Sequence, residues 1–141
     1  MTDRERTRQL ITRHEGRRAR MYLDSLGNET IGVGRNLKAR GLSADEIDLL
    51  LTNDLDHAEK DAITWAGPVW LYLSPVRRHV IVDMAFNMGL PRLRGFKRFR
   101  AAVRRQDWES AAAEMIDSRW YVQVKGRAKT LVKMMRTGEW P

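Results

Sequence analysis

The sequence predicts an α+β fold that is mostly helical, with a small N-terminal β-hairpin lobe packed on a larger helical lobe. Three observations carry this. Apolar residues recur at helical spacing through most of the chain beyond residue 43. Weak alternation is confined to residues 18–23 and 29–34, a glycine-punctuated stretch. The strands therefore gather near the N-terminus and the helices follow, an order that suggests α+β. The 141 residues suit a single domain spanning residues 1–141. Within it the hairpin lobe covers about 16–40, and the helical lobe about 43–141 plus the N-terminal helix.

Each element has a local reason. Thr2 and Glu5 form a Thr-x-x-Glu capping box, which starts a helix running to about His14 and stopping at Gly16. Gly27-Asn28 supplies turn chemistry between the two strands, and Gly32 and Gly34 loosen the second. Ser43 and Glu46 repeat the capping box. Ile47, Leu50, Leu51, Leu55, Ala58 and Ala62 then mark the inward face of a long helix, broken at Gly67-Pro68. Ser74-Pro75 opens a buried helix carrying Val76, Val80, Ile81, Met84, Ala85 and Met88, which Gly89 and Pro91 end. A basic helix is expected over about 96–105, with Phe96, Phe99 and Val103 on one face. Asp107 caps the next, about 108–118, with Ala111, Ala112, Met115 and Ile116 inward. The last helix covers about 126–136, before Gly138.

Composition narrows the function classes. Cysteine is absent, which excludes disulfides and thiol chemistry. Only three histidines occur, scattered at His14, His57 and His79, so no metal site is expected. The formal net charge of +8 draws the chain to polyanions: nucleic acid, anionic lipid or an acidic wall polymer. No apolar run approaches a membrane span, and residues 1–8 lack the apolar core of a secretory signal. A protein that stays in the cytoplasm until something else releases it is the expectation.

Glu15, Asp24 and Thr30 form the candidate chemistry. Two carboxylates in different local settings can do acid and base work on one bond, and glycosidic cleavage needs such a pair. Taken singly, Glu15 reads as a surface glutamate, Asp24 as a turn residue and Thr30 as a good strand residue. Their neighbours change the reading. His14-Glu15-Gly16, Tyr22-Leu23-Asp24 and Thr30-Ile31-Gly32-Val33-Gly34 resemble the phage-type lysozymes, the muramidases of tailed bacteriophages. Phe86-Asn87-Met88-Gly89, Ser118-Arg119-Trp120-Tyr121, Arg127-Ala128-Lys129 and Arg136-Thr137-Gly138-Glu139-Trp140 extend the resemblance, in order, over nearly the whole chain.

The resemblance implies a phage-lysozyme-like fold and hydrolysis of the β-1,4 bond between N-acetylmuramic acid and N-acetylglucosamine in peptidoglycan. It implies Glu15 as general acid, Asp24 as the carboxylate that activates water, Thr30 as its helper, and inversion. It puts Asn36, Phe86, Phe99 and Glu114 at substrate-contact positions and Arg127 beside Glu15. No cofactor or metal is implied. Arg35 stands where the family usually has histidine, and an ion pair from Arg35 to Asp54 is expected. The implied role is that of an endolysin, reaching the wall through a holin-type pore to lyse the host. The partners are peptidoglycan strands and, through the basic 92–105 run, an anionic membrane. A monomer with no obligate protein partner is expected. Two alternatives stand beside this: a basic helical nucleic-acid-binding domain, and a wall-binding relative with weak catalysis.

Overall fold

The first helix shows how closely the caps set the elements. The computed structural model describes residues 1–141, and α1 runs Asp3–Glu15. The Thr2 side chain accepts from the Glu5 N–H at 3.2 Å, and the Thr2 N–H donates to Glu5 at 2.6 Å. At the other end Gly16 takes φ 77° and its N–H returns to the Thr12 carbonyl. A side chain with a Cβ disfavours that left-handed conformation.

Two compact units divide the chain, residues Met1–Leu49 and Leu50–Pro141. The first holds α1, the sheet and a short helix, so α1 groups with the hairpin. The sheet has three antiparallel strands in the order β1 (Arg18–Leu23), β2 (Glu29–Gly32) and β3 (Arg35–Asn36). Tyr22 faces Thr30 across β1 and β2, and Thr30 faces Asn36 across β2 and β3. The third strand is an addition to the expected hairpin. Gly32 and Gly34, both with positive φ, end β2 early and turn the chain back on itself. Asn36 then caps a short α2 (Leu37–Arg40), accepting from the Ala39 N–H at 3.0 Å.

Helix α3 (Ala44–Ala66) begins on the expected Ser43/Glu46 box. Its apolar face is a correction. Ile47, Leu50, Leu51 and Leu55 are 40–53% exposed, and burial starts only at Ala58, continuing through Ala62, Trp65 and Ala66. Helical spacing says which residues share a face, not whether another element covers it.

The core of the second unit is built by the helices that follow. A 3₁₀ segment, Gly67–Tyr72, leads to α4 (Pro75–Met88), capped by Ser74. Val76, Val80, Ile81, Met84 and Ala85 are buried on α4 as expected. Helix α4 ends at Gly89 as expected, and Pro91 sits at the start of a further turn, α5 (Leu90–Leu93), where a missing N–H is tolerated. Helix α6 (Lys97–Arg104) buries Phe99, Ala102 and Val103. On α7 (Trp108–Ile116), Ala111, Ala112 and Met115 are buried, but Ile116 is 42% exposed at the helix end. An extra helix, α8 (Arg119–Val124), precedes α9 (Gly126–Thr137), which ends on Gly138 in the left-handed region. Helix dominates and the strands are few, which is the α+β class expected.

Candidate functional site

The first unit carries the three residues expected to do chemistry. Glu15 is the last residue of α1 and is exposed. Its carboxylate lies against the backbone of Gly34, in the turn between β2 and β3. A Cβ placed on Gly34 would stand 2.9 Å from Glu15 Oε2, inside any real contact. Gly34 also holds φ +71°. Glycine is favoured there by its backbone conformation, and a Cβ would also push the end of the Glu15 side chain aside.

Asp24 follows β1 and organises the turn. Its Oδ1 accepts from the Leu26 N–H at 2.9 Å and the Asn28 N–H at 2.8 Å. Its Oδ2 accepts from the Asn28 side-chain amide at 3.0 Å. These bonds, with those from Asn28 the largest influence, hold the Asp24 carboxyl below the usual carboxylate range. The group is therefore ionised at neutral pH. The turn role and an anionic role coincide in one side chain.

Thr30 sits on β2 and is the one polar residue among the buried set, 3% exposed. Its hydroxyl donates to the Asn28 carbonyl at 2.8 Å. The only proton of the hydroxyl is thereby committed, and its oxygen is left to accept. Asn28 consequently touches both Asp24 and Thr30. Sequence reasoning assigned it to the turn alone, because Gly-Asn is ordinary turn chemistry.

Arg35 departs from expectation. Its guanidinium donates to Glu46 Oε1 at 2.8 Å and to the Gly41 carbonyl at 3.0 Å, where Asp54 was the expected partner. Glu46 is nearer in sequence and already fixed by the Ser43 cap, so a preformed acceptor meets the arginine. The arginine, with the Ser43 bonds, pulls the Glu46 carboxyl down to about 2. Asn36, half-buried, lines a hollow of about 490 Å³ with Ile31, Arg35, Arg40 and Glu46.

The remaining candidates lie in the second unit. Phe86 is 41% exposed and lines a hollow of about 350 Å³ with Asp54, His57 and Asp61. Phe99 and Glu114 share a larger groove of about 880 Å³, whose lining includes Asn87, Phe96 and Trp120. Phe99, however, is 1% exposed, its ring 5.2 Å from that of Trp65. Its side chain is core, so a side-chain contact with a ligand is removed. Glu114 is half-buried. Trp120 is buried and donates to Asn87 Oδ1 at 3.0 Å. Within the second unit Arg127 pairs with Asp83, with Nε and Nη2 at 2.7 and 2.6 Å from Oδ1. His79 Nε2 approaches the other oxygen of Asp83 at 3.4 Å.

The basic run is not one free face. Arg100 donates to the Trp65 carbonyl at 2.8 Å, and Arg104 reaches the same oxygen at 3.5 Å. Both thus serve the C-terminal end of α3, where carbonyls lack helical partners and favour cations. Arg92, Lys97, Arg98 and Arg119 instead line the large groove.

The family model described as Phage lysozyme matches residues 12–137. The chain is 27% identical over 157 residues to the pre-baseplate central spike protein Gp5 of Enterobacteria phage T4, covering 92% of this chain and 27% of that protein. It is 25% identical to probable T4-type lysozymes 1 and 2 of Dictyostelium discoideum, covering 88% of this chain and 89% of each of theirs. The chain thus spans about a quarter (27%) of the spike protein but most of the two shorter relatives (89%).

Proposed function

The chain belongs to the phage lysozyme family, and from that premise we propose that it is a muramidase acting on peptidoglycan. The bond cleaved is the β-1,4 link between N-acetylmuramic acid and N-acetylglucosamine. Glu15 protonates the departing sugar oxygen, Asp24 directs water at the anomeric carbon, and Thr30 helps to hold that water.

One observation carries the reading. Asp24 accepts three hydrogen bonds, on both of its oxygens. A carboxylate so engaged is a poor nucleophile but a well-fixed acceptor for a water proton. That supports attack by water rather than by the enzyme, and hence inversion at the anomeric centre. The approach of Glu15 to Gly34 supports a second carboxylate beside the turn between β2 and β3. No metal is needed for such acid–base cleavage.

Asn36, Phe86 and Glu114 are proposed glycan contacts, with Phe99 supporting the groove from beneath. The biological role proposed is host lysis as an endolysin, with release through a holin-type pore. No helix is long and apolar enough to cross a membrane. A monomer is sufficient for this chemistry.

Muropeptide analysis of digested walls tests the proposal. Wild type should yield fragments with a muramic-acid reducing end, in the α-anomer when sampled early. Glu15→Gln should fold and lose nearly all activity. Cut peptide stems, or full lysis by the folded variant, would end this reading.

A further inference from the structure

We propose that Asn28 is a positioning residue for the reaction, fixing the Asp24 carboxylate and the Thr30 hydroxyl together. This rests on the muramidase reading above. The Asn28 backbone N–H reaches Asp24 Oδ1 at 2.8 Å and its side-chain amide reaches Oδ2 at 3.0 Å. Its carbonyl accepts twice, from the Asp24 N–H at 3.0 Å and from the Thr30 hydroxyl at 2.8 Å. A single residue thereby restrains both groups assigned to the water.

The count of acceptor sites gives this arrangement a consequence. A carboxylate offers about four lone-pair sites, and three are filled in Asp24 by Leu26 and Asn28. Of those three, the amide bond from Asn28 is the only one on Oδ2. That amide leaves Oδ2 with one open direction. The Thr30 oxygen, its proton spent on Asn28, also only accepts. Two acceptors with fixed directions can take both hydrogens of one water and leave its lone pair facing outward. Without the Asn28 amide, Oδ2 keeps two open sites and the preferred direction is lost.

The bonds also set basicity. Donation to the ionised form makes Asp24 easier to deprotonate, so the acid limb of activity is governed in part by Asn28. The backbone N–H groups remain when the side chain is cut back. Asn28 does not have a positive φ, so alanine fits its backbone without strain.

The test compares wild type, Asn28→Ala and Asn28→Asp as full chains, with Ser25→Ala as a control in the same turn. The Asp24 side-chain carboxyl is titrated by ¹³C NMR, and the pH profile of wall clearing is recorded in parallel. In Asn28→Ala the Asp24 midpoint should rise and the acid limb should rise with it. In the same variant kcat should fall about tenfold, less than the roughly hundredfold or more that losing a positioned acid–base group costs, while KM stays nearly constant. Asn28→Asp keeps the side-chain shape but replaces a donor with a charge, so the midpoint should rise further. Ser25→Ala should change neither readout. Backbone amide shifts of the hairpin show whether each variant is folded. Folded variants that titrate Asp24 at the wild-type midpoint, or that shift it without moving the acid limb, would overturn the proposal. Wild-type clearing by Asp24→Asn would overturn it too, whereas cut peptide stems in the wild-type digest would remove the muramidase reading while the titration still reports on Asn28 itself.

Discussion

At the scale of single residues, hydrogen bonds fix Asp24 and Thr30 in the first unit, while Glu15 lies close against Gly34. Gly34 is the sharpest case. Gly34→Ala places a methyl 2.9 Å from Glu15 Oε2 in a backbone at φ +71°, so the carboxylate must move. The left-handed conformation alone costs about 1–2 kcal/mol with a Cβ. Wall clearing should fall by up to about tenfold, since the shift is smaller than the roughly 1 Å misplacement that can cost about a hundredfold. Unchanged clearing at a lowered melting temperature would show that the seat of Glu15 is irrelevant to turnover. Thr30→Val tests the hydroxyl with shape preserved. The buried hydroxyl is bonded to the Asn28 carbonyl, so its loss should destabilise by about 1 kcal/mol. Clearing should fall by far more than that stability change predicts; a variant as active as wild type would make Thr30 merely structural.

At the scale of elements, two arginines join segments that the sequence leaves apart. Arg35 ties β3 to the start of α3 through Glu46, whose carboxyl is held near 2. The folded value lies below the ordinary 4.5, so the pair stabilises the fold above the ordinary value. That stability fades as pH falls from about 4.5 through about 2. Glu46→Gln should therefore melt below wild type at pH 6, and the two curves should converge on acidification towards pH 2; a gap constant across that range contradicts the linkage. Arg77 does similar work at the end of α9. It donates to the Met135 carbonyl at 2.8 Å and the Arg136 carbonyl at 3.1 Å, and stacks 4.2 Å above the Trp108 ring. Charged hydrogen bonds of this kind contribute about 1.5–3 kcal/mol each. Arg77→Met should lower the urea midpoint clearly while leaving the hairpin amides unshifted.

At the scale of the whole molecule, the net charge of +8 bears on encounter rather than on chemistry. An acidic wall attracts such a surface over a distance set by salt, about 10 Å at 0.1 M. Clearing rates should fall as ionic strength rises from about 0.02 to about 0.3 M, while a small neutral glycan substrate should show little change. Equal salt dependence for both would place the effect in catalysis. Because Arg100 and Arg104 are occupied at the end of α3, charge reversal there should cost stability. Reversal at Lys97 or Arg98 should instead alter wall affinity.

The sequence by itself determined what local chemistry controls. The caps at Thr2, Ser43, Ser74 and Asp107 start helices where expected, because a cap acts within one turn. The buried face of α4 followed from its spacing, since that face is packed into the core of the second unit. The proposed carboxylates and Thr30 rest on short motifs that lie in the family's order. Tertiary structure decided the rest. The exposure of Ile47 and Leu50 depends on what covers the helix, which periodicity does not encode. Arg35 chose Glu46, Arg127 chose Asp83, and Phe99 turned into the core, because partners of a long side chain are set by distances between elements. Asn28 looked like a turn residue until two strands brought the Asp24 oxygens and the Thr30 hydroxyl within bonding reach of it.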